Sequence, residues 1–176
     1  LDADILQDLG AALNELRNNL AKAKQPPAEL LIATAVVYRR AGLRTGQADS
    51  LRIDSLNLLS SAFTTAKHLG DDRSASLALG LQGELYMDER RWDEAIKLSE
   101  IALLYAQQAA ALEAEYRWYA QIGKALLAKS ELSASEDAYR SALTILSEVR
   151  RDLPVSSPRV FSERILPVYN GYADVL

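Results

Sequence analysis

Apolar residues return every three or four positions along most of the chain, and short polar, glycine- or proline-bearing breaks interrupt them. That spacing predicts amphipathic helices throughout. Ile5, Leu6, Leu9, Leu13, Leu16 and Leu20 form one stripe over about Ala3 to Lys22. Gln25-Pro26-Pro27 closes it, because proline is accepted in a helix's first turn and little further in. A second helix spans about Ala28 to Ala41, with Leu31, Ala35 and Tyr38 inward. The stretch from Gly42 to Asp49 reads as the longest break of the first half. Asp49 or Ser50 is placed to cap a third helix running to Leu69, with Gly70 as its left-handed terminator.

Asp71 or Asp72 caps a fourth helix ending near Arg90, and Trp92-Asp93-Glu94-Ala95 opens a fifth. A sixth covers about Leu112 to Lys129. Ser133 and Glu136 have capping-box spacing for a seventh, which Pro154 ends. Ser156-Ser157-Pro158 opens an eighth with Pro167 inside it. Two readings are open: a kink at Pro167, or a start near Pro167 with a separate turn over residues 159–166.

The stripes contain a repeat. The separation from Gly83 to Ala95 is the same as that from Gly123 to Ser135. Glycine inside a helix costs about 1 kcal/mol relative to alanine, so two glycines at matched positions point to close helix–helix approach. Ala95 and Ala102 share one face of the partner helix and supply the other side of that contact. Trp92 and Leu132, each just ahead of an anchor at Ala95 or Ser135, are expected to plug the turn between paired helices.

Leu79-x2-Gln82-Gly83-x2-Tyr86 followed by Ala95-x3-Ser99-x2-Ala102 resembles the tetratricopeptide pattern, in which helix-turn-helix units recur about every 34 residues. A second unit reads Tyr119-x2-Ile122-Gly123-x2-Leu126, then Ser135-x3-Tyr139-x2-Ala142. A weaker one joins Leu31-x2-Thr34-Ala35-x2-Tyr38 to Ser55-x3-Leu59-x2-Ala62. A half unit, Tyr169-x2-Tyr172-Ala173-x2-Leu176, closes the chain. The spacing from Gly83 to Gly123 exceeds the tetratricopeptide period, which places about two extra turns in the sixth helix or its approach. No unit has the terminal proline. The resemblance implies an all-α, right-handed solenoid of antiparallel helix pairs, about eight helices in one domain over residues 1–176.

Elongated, degenerate units of this kind are similar to the tetratricopeptide region upstream of the caspase-like CHAT domain in many bacterial proteins. Glu115-Tyr-Arg-Trp118, Ala138-Tyr-Arg-Ser-Ala142, Phe161 and the passage from Pro167 to Asp174 carry that likeness. It implies a binding scaffold that regulates a downstream CHAT-like protease domain. A start at Leu1 and an end inside a helical pattern read as a piece of a longer protein. An oligomerisation scaffold, or a ligand-sensing module of a bacterial signalling protein, is the alternative.

Composition narrows the chemistry. The net charge of −4, without a basic run, argues against nucleic-acid binding. No cysteine means no disulfide, thiolate nucleophile or Cys-ligated metal. No run approaches the roughly 18 apolar residues of a membrane span. Cytoplasmic placement is expected, with a trimmed signal peptide left open by the Leu1 start. His68 is the single histidine, at a helix C-terminus and without a partner for metal or acid–base work.

Pairs such as Asp71/Asp72, Glu113/Glu115 and Glu136/Asp137 suit caps and solvated faces. No phosphate loop, nucleophile elbow or HExxH occurs, so no enzyme, cofactor or metal is expected. The expected partner is a protein or peptide segment, intramolecular binding included, with self-association left open. By resemblance the groove positions fall on the first helix of each unit: Leu77, Gly80, Glu84, Met87 and Asp88, then Arg117, Ala120, Lys124 and Leu127. Ile32, Val36, Arg39, Asn170 and Asp174 extend the row. Arg39, Glu84, Asp88, Arg117, Lys124 and Asn170 are its polar candidates. Their mixed charge suits internal pairing or a mixed-charge segment.

Overall fold

Three of the helix ends turn through a left-handed residue that is not glycine. Arg90, Ala110 and Ser130 have φ of 59°, 49° and 64°. At each of them the following N–H reaches back over a full turn to a helix carbonyl: Arg91 to Tyr86 at 2.9 Å, Ala111 to Ala106 at 2.9 Å and Glu131 to Leu126 at 3.0 Å. The left-handed residue's own N–H bonds to the carbonyl one position later in the helix, of Met87, Gln107 and Leu127 respectively. This is the Schellman arrangement, which satisfies the carbonyls a helix end leaves open.

The next helix starts at once. Ala95 donates to the Arg91 carbonyl, Glu115 to that of Ala111 and Ser135 to that of Glu131. The same short connection is thus used three times, and helices begin at a constant interval, at Asp72, Trp92, Leu112 and Leu132. The first three of these are each 17 residues long, about 25 Å of rise.

A computed structural model describes residues 3–45, 48–152, 162 and 165–176. These residues are all-helical, with no strand among them, as the hydrophobic pattern predicts. Eight helices lie among the described residues. They are α1 (Ala3–Lys22), α2 (Ala28–Thr45), α3 (Ala48–Leu69), α4 (Asp72–Asp88), α5 (Trp92–Gln108), α6 (Leu112–Ala128), α7 (Leu132–Asp152) and α8 (Leu166–Ala173). The chain divides into two units, Leu1–Gly70 and Asp71–Leu176.

In the first unit α2 and α3 pair along their length, and α1 rests on them. Tyr38, Ala41 and Leu51 form the centre of that contact, with Leu13, Leu16 and Leu58 against it. The Tyr38 hydroxyl donates to the Leu13 carbonyl at 3.4 Å, and Arg17 of α1 pairs with Asp54 of α3. In the second unit α4 pairs with α5 and α6 with α7, while α4 also touches α6 and α6 touches α8. First helices of successive pairs are therefore neighbours, a solenoid-like stacking.

Several boundaries differ from the sequence expectation. No break opens at Gly42, because α2 continues to Thr45 with Gly42 buried inside it. The long period does not come from a lengthened sixth helix: α4, α5 and α6 share the elongation equally. Ser133 does not cap α7, since the helix starts at Leu132, straight out of the left-handed turn. Leu132 plugs nothing, being exposed, while Trp92 is half-buried.

Asp71 does cap α4, accepting from the Ser74 N–H at 3.0 Å, and this bonding holds its carboxyl below the usual range. Gly70 ends α3 with φ of 68°. At the C-terminus the helix starts at Leu166 with Pro167 in its first turn, as a start near Pro167 requires, while most of the separate turn expected over residues 159–166 lies outside the described residues. Pro154 and Ser156 to Pro158 lie outside the described residues.

Candidate functional site

The repeat glycines mark where α4, α5, α6 and α7 close on one another. A β-carbon at Gly83 would lie 3.2 Å from Ser99 Oγ and 3.3 Å from the Ala95 carbonyl, on α5, and against the Gln121 amide of α6. One at Gly123 would meet the Tyr139 ring of α7 at 2.9 Å. Gly80 serves the same purpose one turn earlier, where a β-carbon would collide with the Trp118 indole. Gly80 is thus a packing position and not part of an open groove.

A buried polar network runs through this junction. The Trp118 indole N–H donates to Ser76 Oγ at 2.9 Å, and Ser76 Oγ donates to the Ala102 carbonyl at 2.7 Å. The Gln121 amide donates to the Gly80 carbonyl at 3.1 Å and to Ser99 Oγ at 2.9 Å, while Ser99 Oγ donates to the Ala95 carbonyl at 2.6 Å. Each of these buried groups has a partner, as burial away from water demands. The bonds tie α4, α5 and α6 together. Nothing in the hydrophobic pattern distinguishes Ser76 or Gln121 from solvated polar residues, so the sequence reading missed both.

Beside the network stands the charged row. Arg117 of α6 reaches Glu84 of α4 at 2.5 Å, both partly buried, and its guanidinium lies 4.9 Å from the Trp118 ring centre. Internal pairing, one of the two expectations for this row, holds for these two residues. Leu77, Met87, Ala120 and Leu127 are half-buried alongside, while Asp88, at the end of α4, and Lys124 are exposed. Asn170 and Asp174 are exposed at α8 and its C-terminal cap. Ile32 is buried, and Val36 and Arg39 half-buried, on α2 of the first unit, which is described separately.

Among the described residues no group of three His, Asp or Glu side chains could hold a metal ion. His68 is exposed at the end of α3. Glu115, 9% exposed, is the unusual carboxyl: burial pushes it above the ordinary range, and Glu148 and Glu113 add like charge. Among the described residues no helix is long and apolar enough to cross a membrane.

The class these features define is an all-α protein built from stacked helix pairs. No protein-family model matches the chain, and neither does a curated protein. Among solved structures it is similar to BtubC (BKLC) from P. vanneervenii, with a TM-score of 0.65 and 15% identity, over 96% of this chain and 68% of that one. At that identity the likeness is one of fold.

Proposed function

We propose that this chain is a non-catalytic scaffold that binds a protein or peptide segment along the first helices of its second unit. The observation carrying the proposal is the Glu84–Arg117 pair beside exposed Lys124 and exposed Asp88, on two adjacent helices held in register by the Trp118 and Gln121 bonds. A rigid scaffold presenting spaced charges of both signs selects a mixed-charge segment by complementarity more than by area. Asn170 and Asp174 extend the row at α8.

The similarity of the Glu115–Trp118 and Ala138–Ala142 passages to CHAT-associated regions supports a regulatory partnership with a CHAT-like protease domain in the full-length protein. The segment bound would then belong to the same polypeptide or to that domain's substrate.

Arg117 is unsuitable for the test, because reversing it also breaks the pair with Glu84. Lys124→Glu alters an exposed charge. Against an arrayed library of mixed-charge peptides the wild-type chain should retain a subset, and Lys124→Glu should weaken that subset about tenfold, the effect of roughly 1.4 kcal/mol. Retention of no peptide, or retention indifferent to Lys124→Glu, removes this reading.

A further inference from the structure

The two junctions between a helix pair and the helix that follows it are filled from opposite sides in the second unit. We propose that this difference is a size code, by which each pair accepts its own following helix and rejects the other. The argument starts from register. Ala95-x3-Ser99-x2-Ala102 on α5 and Ser135-x3-Tyr139-x2-Ala142 on α7 set Ser99 and Tyr139 at one repeat position, which the tetratricopeptide pattern gives to an aromatic residue. On the first helices, Gln121 precedes Gly123 by the same step as Gly171 precedes Ala173, so these two share a position as well.

At the earlier junction the second helix is small and the incoming helix is large. Ser99 is fully buried and leaves open the space that an aromatic ring takes in the pattern. The Gln121 side chain of α6 enters there. It donates to Ser99 Oγ at 2.9 Å and to the Gly80 carbonyl at 3.1 Å, and it lies against the position a β-carbon on Gly83 would take.

At the later junction the sizes are exchanged. The Tyr139 ring, 3% exposed, lies between two helix glycines. A β-carbon on Gly123 of α6 would come within 2.9 Å of the ring edge, and one on Gly171 of α8 would collide with its hydroxyl end. Gly171 is itself buried.

Each combination excludes the other. A glutamine side chain at position 171 would run into the Tyr139 ring, and a tyrosine ring at position 99 would run into the Gln121 amide. A glycine facing Ser99 would leave a void and remove the donor that reaches the Gly80 carbonyl. The α4–α5 and α6–α7 pairs share the same left-handed turn and the same small anchors, so backbone geometry does not tell the seat of α6 from that of α8. Side-chain size does. It keeps the wrong neighbour out, and so fixes which first helix carries the next part of the charged row.

Double-mutant cycles within each junction test the proposal without any ligand, read as urea midpoints by circular dichroism. Ser99→Tyr and Gln121→Gly should each lower the midpoint. Their double, which copies the later junction, should stand above the lower of the two. Tyr139→Ser, Gly171→Gln and their double should follow the same rule. The mismatched double, Ser99→Tyr with Gly171→Gln, draws on both junctions and should show plain addition of the two losses.

Rescue confined to the matched doubles is a pattern that loss of packing alone does not produce. Matched doubles that fall by the sum of their singles overturn the proposal, as does a mismatched double that recovers equally well. Where a single variant does not fold, its matched double decides: regained helix content supports the code, and an unfolded double overturns it.

Discussion

Glu115 is a carboxylate in a place that resists charge. It is buried in the first turn of α6, and Glu148 and Glu113 add to the effect of burial. Its folded pKa therefore lies above the unfolded value of about 4.3. A group shifted in that direction supports folding below its unfolded pKa, and the support is lost as pH rises through the folded pKa. Glu115→Gln, which cannot ionise, should raise the urea midpoint at pH 7 and leave it nearly unchanged below about pH 4. A lower midpoint at pH 7 would mean that the carboxylate has a partner worth keeping.

Gly80 is the opposite case, a side chain that must be absent. Alanine gains about 1 kcal/mol in helix propensity, but its β-carbon enters the space of the fully buried Trp118 ring. Gly80→Ala should destabilise by about 1–3 kcal/mol in urea unfolding, as overpacking does. A stabilised variant would show that the ring can yield. In the sequence Gly80 reads as a groove residue because it falls one turn from Gly83. What decides its role is the indole that arrives from the next helix pair, and no local pattern carries that.

At the scale of elements, the helices were legible and their connections were not. Period-3.6 stripes and the Asp71 cap place α4, and the same stripes place α5 and α6 close to their observed bounds. The turns at Arg90, Ala110 and Ser130 carry none of the glycine that a left-handed residue invites, so the even sharing of the long period among helices stayed hidden. Gly42 misled in the other direction, since it sits inside α2.

Three similar turns also carry similar strain. A left-handed backbone costs an L-residue about 1–2 kcal/mol, and glycine removes that cost while giving back about 0.4–1 kcal/mol to the unfolded chain. Ala110→Gly should therefore stabilise by about 0.5–1 kcal/mol, read as a raised urea midpoint with an unchanged m-value. Ala110 is the cleanest of the three, being exposed with a methyl side chain. A destabilised variant would mean that the turn is not left-handed at Ala110.

For the whole molecule, the charged row was only partly readable. The sequence pattern placed Glu84 and Arg117 on neighbouring first helices, but their mutual pairing depends on the α4–α6 crossing that Trp118 and Gln121 set. That pairing leaves Lys124 as the exposed charge of the row on α6, and hence the clean handle for testing it.

Trp118 has one more consequence. The chain has two tryptophans, Trp92 and Trp118, and both belong to the unit from Asp71 to Leu176. Indole fluorescence is thus a native gauge of that unit alone, with the fully buried ring reporting the joint between its helix pairs. Far-ultraviolet ellipticity sums over both units. Two optical signals recorded on one unlabelled sample therefore resolve whether the units melt as one body or in turn.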